Sequence, residues 1–355
     1  MCALGLGESI VRWLYRGETV LFPRYHTEYQ YGRYAIRGTR PNAEFWHTSV
    51  DGSWKFTTNS KGFRNAKEFA YAKPANTMRI LSIGDSHTQG HEVRQDSTFS
   101  AVLERYLNRN KIRAEVINAG VSGFGTAEEL VFIENEGFKY DPDVVVLGFF
   151  ANDFEDNLKA GLFGLDGGGQ LLELKHQHIP GVHIQNFIYE IPGVRWLSEN
   201  SYFYSLLFNG VWNYFKAKLA ARAVQGAGTT GGPLSAAVDD FEFAVASRLA
   251  PSDGQLALAA ALIERMQRFC KQRAIRLIVV DVPTMLGPYR HGSSLSPVLL
   301  AKLQAANVEY ITSSSLLQDF DGVVETHLPH GYHHISEFTH ALIGTALGRK
   351  ITNRR

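Results

Sequence analysis

Cysteine is scarce: Cys2 and Cys270 are the only two in 355 residues. A pair so far apart supplies neither a disulfide framework nor metal-ligand spacing, and it leaves the cellular compartment open. Cys270 shares a helical apolar face with Leu262, Met266 and Phe269, which is the setting of a small buried hydrophobe rather than a reactive thiol. An excess of one charge is lacking too. With 36 Lys and Arg against 35 Asp and Glu, spread along the chain, no basic footprint for nucleic acid exists. No apolar run reaches the ~18 residues that cross a bilayer. The first seven residues are too short for a signal-peptide core, and Glu8, Arg12 and Arg16 interrupt the next stretch. Ile10, Trp13 and Leu14 fall on one face of a short amphipathic helix. Packing against the domain is its expected use, and contact with a membrane surface is the alternative.

What is present reads as a globular protein, 45% hydrophobic and 20% charged, with length enough for a large core. Residues 1–77 are read as an N-terminal arm. From 20 to 77 it is rich in aromatics, Arg, Asn and Gly, with short strands such as the stretch from Trp54. Pro74 closes it. From 78 onward strands and helices alternate. Strands are expected from Ile80, at Ala114–Asn118, Val144–Phe150, Ile275–Val280 and Val308–Ile311. Helices are expected after a cap at Asp96, after a Thr126–Glu129 capping box, at Gln255–Gln272, near Pro297–Ala306 and at Ser336–Leu347. Five strands separated by helices predict an α/β fold, a doubly wound and mostly parallel five-stranded sheet with helices on both faces, spanning 78–355. The alternation breaks at about 154–250. That length predicts an insertion with its own helices, including an aromatic one at Tyr202–Arg222, and a flexible Gly-rich stretch at 226–232. Phe203, Leu206, Leu207, Trp212 and Phe215 are expected to pack on the parent domain, with a lid or lipid-facing surface as the alternative.

In such a sheet the chemistry gathers where the strands end. Four loops lie there: Gly84-Asp85-Ser86, Ser122-Gly123, Asn152-Asp153 and the histidine-dense 327–340. A serine hydroxyl needs a neighbouring base to become nucleophilic. Acyl transfer also needs donors at the developing oxyanion, a role suited to backbone N–H groups at glycine turns and to an Asn amide. Each loop alone has a plain structural reading as a turn, a cap or a solvated segment. A zinc site from His327, His330, His333 and His334, with Glu325 or Glu337, is the lesser reading, because it leaves Ser86, Gly123 and Asn152 without roles.

These four blocks resemble the SGNH (GDSL-type) hydrolases over about residues 78–153 and 254–348. Gly84-Asp-Ser-His-Thr-Gln-Gly90 is similar to the family's first block, which implies Ser86 as nucleophile. Asn118-Ala-Gly-Val-Ser-Gly123 is similar to the second, implying the Gly123 N–H as an oxyanion donor. Phe150-Ala-Asn152-Asp153 is similar to the third, implying the Asn152 amide as another donor beside the Ser86 N–H. His334-Ile-Ser-Glu-Phe-Thr-His340 is similar to the last, implying His334 as base. The arm, with Asn59-Ser-Lys-Gly-Phe-Arg64, resembles bacterial members. The resemblance implies a flavodoxin-like fold, no metal or organic cofactor, and a serine esterase acting through an acyl-enzyme on a small or glycan ester, with carbohydrate deacetylation as the expected substrate class. An O-acyltransferase using a glycan acceptor and a binding protein without turnover are the alternatives. Relatives often carry a membrane anchor ahead of this arm, so an extracytoplasmic or membrane-associated setting is expected. Oligomeric state is not legible.

Three departures stand out. Phe150 and Thr339 occupy positions where the family usually has glycine. More important, the acid expected three residues before the histidine is Gly331 in this chain, and the register on His333 gives His330. An Asp-x-His register puts Tyr332 or Gly331 there. The first expectation is a Ser–His dyad with a backbone carbonyl orienting the ring. The second is a distant carboxylate such as Glu325, Asp319 or Asp321, and the third is loss of strong catalysis.

Overall fold

A computed structural model describes residues 2–211, 250–330 and 332–353. The arm contains two hairpins, β1 (His26–Tyr31) with β2 (Tyr34–Thr39), and β3 (Glu44–Ser49) with β4 (Gly52–Thr57). Next come β5 (Met78–Gly84), β6 (Ala114–Asn118) and β7 (Val144–Phe149). The insertion adds the hairpin β8 (Phe163–Leu165) with β9 (Leu171–Glu173), and β10 (Gln177–His178). The chain then makes β11 (Arg276–Asp281), the hairpin β12 (Thr284–Gly287) with β13 (Arg290–Gly292), and β14 (Glu309–Ile311).

The central sheet runs β14-β11-β7-β5-β6 and every pairing in it is parallel. This is the expected doubly wound five-stranded sheet. Alternation along the strands explains why both faces are covered. Leu81, Ile83, Val145, Leu147, Leu277 and Val279 point into one core, beneath the helices Thr126–Asn135 and Asp253–Gln272. Ile80, Val144, Val146, Ile278 and Val280 point into the other, beneath Phe99–Arg109 and Glu337–Thr352. Strands buried on both faces read as unbroken apolar runs, as Val144–Phe149 does. β5 is the first strand of this sheet along the chain and lies between β6 and β7, so the connections leave it in opposite directions. The crevice at its carboxyl end is the switch point where α/β sheets place ligands.

Several local expectations shift. The helix at Phe99 is capped by Thr98, whose hydroxyl accepts from the Ala101 N–H, whereas Asp96 sits in a short 3-10 turn, Gln95–Ser97. The next helix starts one residue earlier than the predicted box: Gly125 is its cap, and Glu128, not Glu129, reaches back to the Gly125 N–H at 3.0 Å. The Asp253–Gln272 helix is boxed by Ser252 and Gln255, and it buries Cys270, whose thiol burial pushes up to about 12. The N-terminal helix Cys2–Leu14 packs through Val11 on Leu21 and Tyr202, leaving Ile10, Trp13 and Leu14 exposed rather than docked. The insertion is partly helical as expected, with helices Val182–Glu190, Val194–Asn200 and 202–211. It also contributes β10, which extends the arm's β1-β2 sheet by pairing with β2. In the 202–211 helix Phe203 packs on the N-terminal helix, while Leu206 and Leu207 are exposed. The rest of the predicted 202–222 helix, with Trp212 and Phe215, and the Gly-rich 226–232 stretch lie outside the described residues. Among the described residues, no helix is long and apolar enough to cross a membrane.

Candidate active site

β5 ends at Gly84, whose φ of +153° and missing Cβ let the chain turn against the Thr88 side chain. Asp85 accepts from the His87 N–H at 2.8 Å and opens a single helical turn, Ser86–Gln89. Ser86 therefore stands just past the sheet, at the switch point, and is only 2% exposed. Burial pushes the Asp85 carboxyl up to about 6.

His334 arrives from the other end of the chain. Its segment is held by an isolated bridge between His327 and Ile335 and by the Leu328 N–H donating to the His334 carbonyl at 2.8 Å. Ser336 then caps the last helix. Thr339, in a family glycine position, donates its hydroxyl to the Thr326 carbonyl at 2.6 Å and ties that helix to the loop. The ring of His334 lands with Nε2 2.9 Å from Ser86 Oγ.

Its other nitrogen answers the question of the acid. His334 Nδ1 lies 3.1 Å from Oε2 of Glu92, and both side chains are buried. A side-chain carboxylate thus stands where the first expectation put a backbone carbonyl; it is distant in sequence, as in the second expectation, but it is Glu92 and none of the three carboxylates named there. Asp321 faces His291 at 3.2 Å, Glu325 offers its backbone carbonyl to Ser336, and neither they nor Asp319 meets His334. Glu92 sits on the same loop as Ser86, six positions further along. The local registers before the histidine never reach that far. The available signal was a carboxylate next to a histidine, just past the glycine that closes the first block. Burial pushes the Glu92 carboxyl up, but its neighbours His334 and His47 outweigh it and hold the carboxyl well below its usual range.

The other expected residues surround this chain of contacts. Gly123, at φ +75°, lies where a Cβ would run into the Arg37 guanidinium, and Arg37 donates to the Gly123 carbonyl. Asn152 is buried beyond β7 and precedes the helix Asp153–Ala160. Its amide donates to Asp156 Oδ2 at 2.8 Å, and the side chain also reaches the Asp85 carboxylate. Burial pushes Asp156 up to about 7. Phe150, the other non-glycine position, is buried with its ring centroid 4.1 Å from that of His87.

The remaining histidines disperse. His327 pairs with the Thr326 hydroxyl and the Pro283 carbonyl, and burial pushes its pKa down to about 4. His330 pairs with Asp51 at 2.7 Å, and His333, exposed and at φ +55°, faces the Leu328 carbonyl at 3.4 Å. Among the described residues no three His, Cys, Asp or Glu side chains converge as metal ligands.

No family model matches the sequence, and no curated protein does. Solved structures similar to the chain include a lipase/acylhydrolase from Enterococcus faecalis, at 17% identity and a TM-score of 0.43, covering 78% of this chain and 96% of that one. A catalytic mutant of an acetylxylan esterase from Geobacillus stearothermophilus is similar at 12% identity and 0.41, covering 79% and 96%. An alpha/beta hydrolase enzyme from the metagenome of Lake Arreo, Spain, is similar at 11% and 0.42, covering 80% and 97%. Likenesses this loose carry no weight beside the site's own geometry.

Proposed function

We propose that this protein is a serine ester hydrolase of the SGNH type, working through an acyl-enzyme. The observation that carries the reading is the unbroken series Ser86 Oγ, His334 Nε2, His334 Nδ1, Glu92 Oε2, with contacts of 2.9 and 3.1 Å. Hydroxyl, imidazole and carboxylate in that order are the parts of a serine triad. Ser86 Oγ bonds to the ester carbonyl carbon as its proton passes to His334 Nε2. Glu92 holds the tautomer with its proton on Nδ1 and stabilises the imidazolium that forms. The carbonyl oxygen becomes an oxyanion, stabilised by the Ser86 and Gly123 N–H groups and the Asn152 amide. Collapse expels the alcohol, which takes the proton from His334. Water then repeats the sequence on the acyl-enzyme, releasing the acid and restoring Ser86.

For the substrate, an acetyl ester on a carbohydrate is the class we propose, supported by the resemblance of the arm to bacterial members of the family. The test uses 4-nitrophenyl acetate with and without an oligosaccharide acceptor. A fluorophosphonate probe should label the wild type and leave Ser86→Ala unlabelled. Equal labelling of both would sink Ser86 as nucleophile. Release of free acetate without acceptor indicates hydrolysis, and product formed only with acceptor indicates transfer.

A further inference from the structure

Glu92 has a second oxygen to satisfy. Oε1 is buried without a hydrogen-bond partner among the described residues, and the same holds for Nε2 of His47. These two atoms face each other at 3.5 Å, with the side chains 0% and 3% exposed. His47 comes from β3, in the N-terminal arm, and its ring is held from several sides. Phe22 stacks on it with centroids 5.1 Å apart and planes 12° from parallel, and His91 meets it edge-on at 5.2 Å. Burial pushes the His47 pKa down, so near neutral pH the ring is uncharged with one N–H to give.

The loop carrying Glu92 is also shaped by the arm. Glu92 sits at φ +58°, a conformation that residues with side chains rarely adopt. Arg64, which ends the Asn59–Arg64 turn, donates to the carbonyls of Gln89, Gly90 and Val93, on both sides of Glu92. The Asn59 side chain accepts from the Lys61 and Phe63 N–H groups and fixes that turn. Asp51, at the tip of the β3–β4 hairpin, accepts from the His330 N–H at 3.0 Å and anchors the histidine loop as well.

We propose that His47 is a positioning residue: its Nε2–H donates to Glu92 Oε1 and sets the carboxylate against His334, so that the arm forms part of the catalytic centre. This rests on the esterase reading above. Catalytic hydrogen bonds often stand long before substrate binds and tighten in the reacting complex, which fits a contact of 3.5 Å. The carboxylate then has both oxygens engaged, one by the base and one by the arm.

Two substitutions separate donation from packing. His47→Phe keeps a ring to stack on Phe22 and loses the donor, whereas His47→Gln supplies an amide N–H. With 4-nitrophenyl acetate, His47→Phe should lower kcat and the fluorophosphonate labelling rate by roughly ten- to a hundred-fold with KM unchanged. His47→Gln should recover most of that loss. Because His47 acts through Glu92, His47→Phe combined with Glu92→Gln should be no slower than Glu92→Gln alone. Full kcat in His47→Phe overturns the proposal, as do losses that multiply in the double variant. If His47→Phe lacks the wild-type near-UV dichroism, His47→Leu against His47→Gln makes the same comparison. Failure of the esterase reading is distinct, since it shows as equal labelling of Ser86→Ala and wild type.

Discussion

Glu92→Gln is the sharpest perturbation of the site. The change keeps the volume and a hydrogen-bonding side chain but removes the charge that faces His334. In the wild type the imidazolium formed during attack lies 3.1 Å from Glu92 Oε2. At an effective dielectric near 20, a charge pair at that separation is worth ~5 kcal/mol. The carboxylate is ionised before the reaction starts, so nearly all of this acts when the imidazole gains its proton. The loss also includes the tautomer, because a glutamine amide turned nitrogen-first would leave the proton on the wrong side of the ring. Each ~1.4 kcal/mol is a factor of ten, so kcat should fall by about 10³ to 10⁴. KM should move little, because Glu92 is behind the histidine and away from substrate. The assay is initial-rate hydrolysis of 4-nitrophenyl acetate, with the concentration of competent sites counted by fluorophosphonate. A Glu92→Gln enzyme keeping more than about a tenth of wild-type kcat would refute the assignment of Glu92 as the acid.

Asn152→Ala removes the side-chain amide donor, and kcat should fall by roughly 10² to 10³ in the same assay. A change within about threefold would remove Asn152 from the oxyanion site. A third expectation concerns pH. His340 is buried, accepts from the Phe99 N–H at 3.1 Å, and is pushed down to about 3, chiefly by burial. In the unfolded chain it takes a proton near pH 6.5, so stability through this group is lost as pH falls from there toward the folded value. Between pH 7 and pH 5 that amounts to about 2 kcal/mol. Asp85 and Asp156, raised by burial to about 6 and 7, work in the opposite sense and are common to both proteins. Urea unfolding at the two pH values should therefore show His340→Gln losing about 2 kcal/mol less than wild type, and identical losses would contradict the argument.

The sheet was legible because its strands are short apolar runs between helical periods, and burial on both faces leaves little else that such runs can form. Ser86 and His334 were legible because each lies in a block with recognisable neighbours. Glu92 was not, since its partnership is made by the fold: β5 and the last helix bring together residues more than 240 positions apart. The caps at Thr98 and Gly125 were missed by one or two positions, as sequence patterns commonly miss helix boundaries. The arm's sequence reads as irregular. Val20, Phe22, Tyr25, Ala43, Phe45 and Phe56 nonetheless form a core of their own, with Tyr332 packed on it. Those residues come from the segment ahead of β1 and from the β3–β4 hairpin with Ala43 before it, so no single period runs through them.

That His334 follows all five strands of the sheet along the chain has a consequence for the order of synthesis. A chain made as far as Ile311 already holds all five strands, Ser86 and Glu92. It lacks the His334 imidazole, which in the proposed mechanism makes Ser86 reactive. The arm that braces Glu92 precedes it along the chain. Reactivity therefore begins only after the segment through His334 has emerged and folded back on β5, so an incomplete copy holds an idle serine rather than an unregulated one.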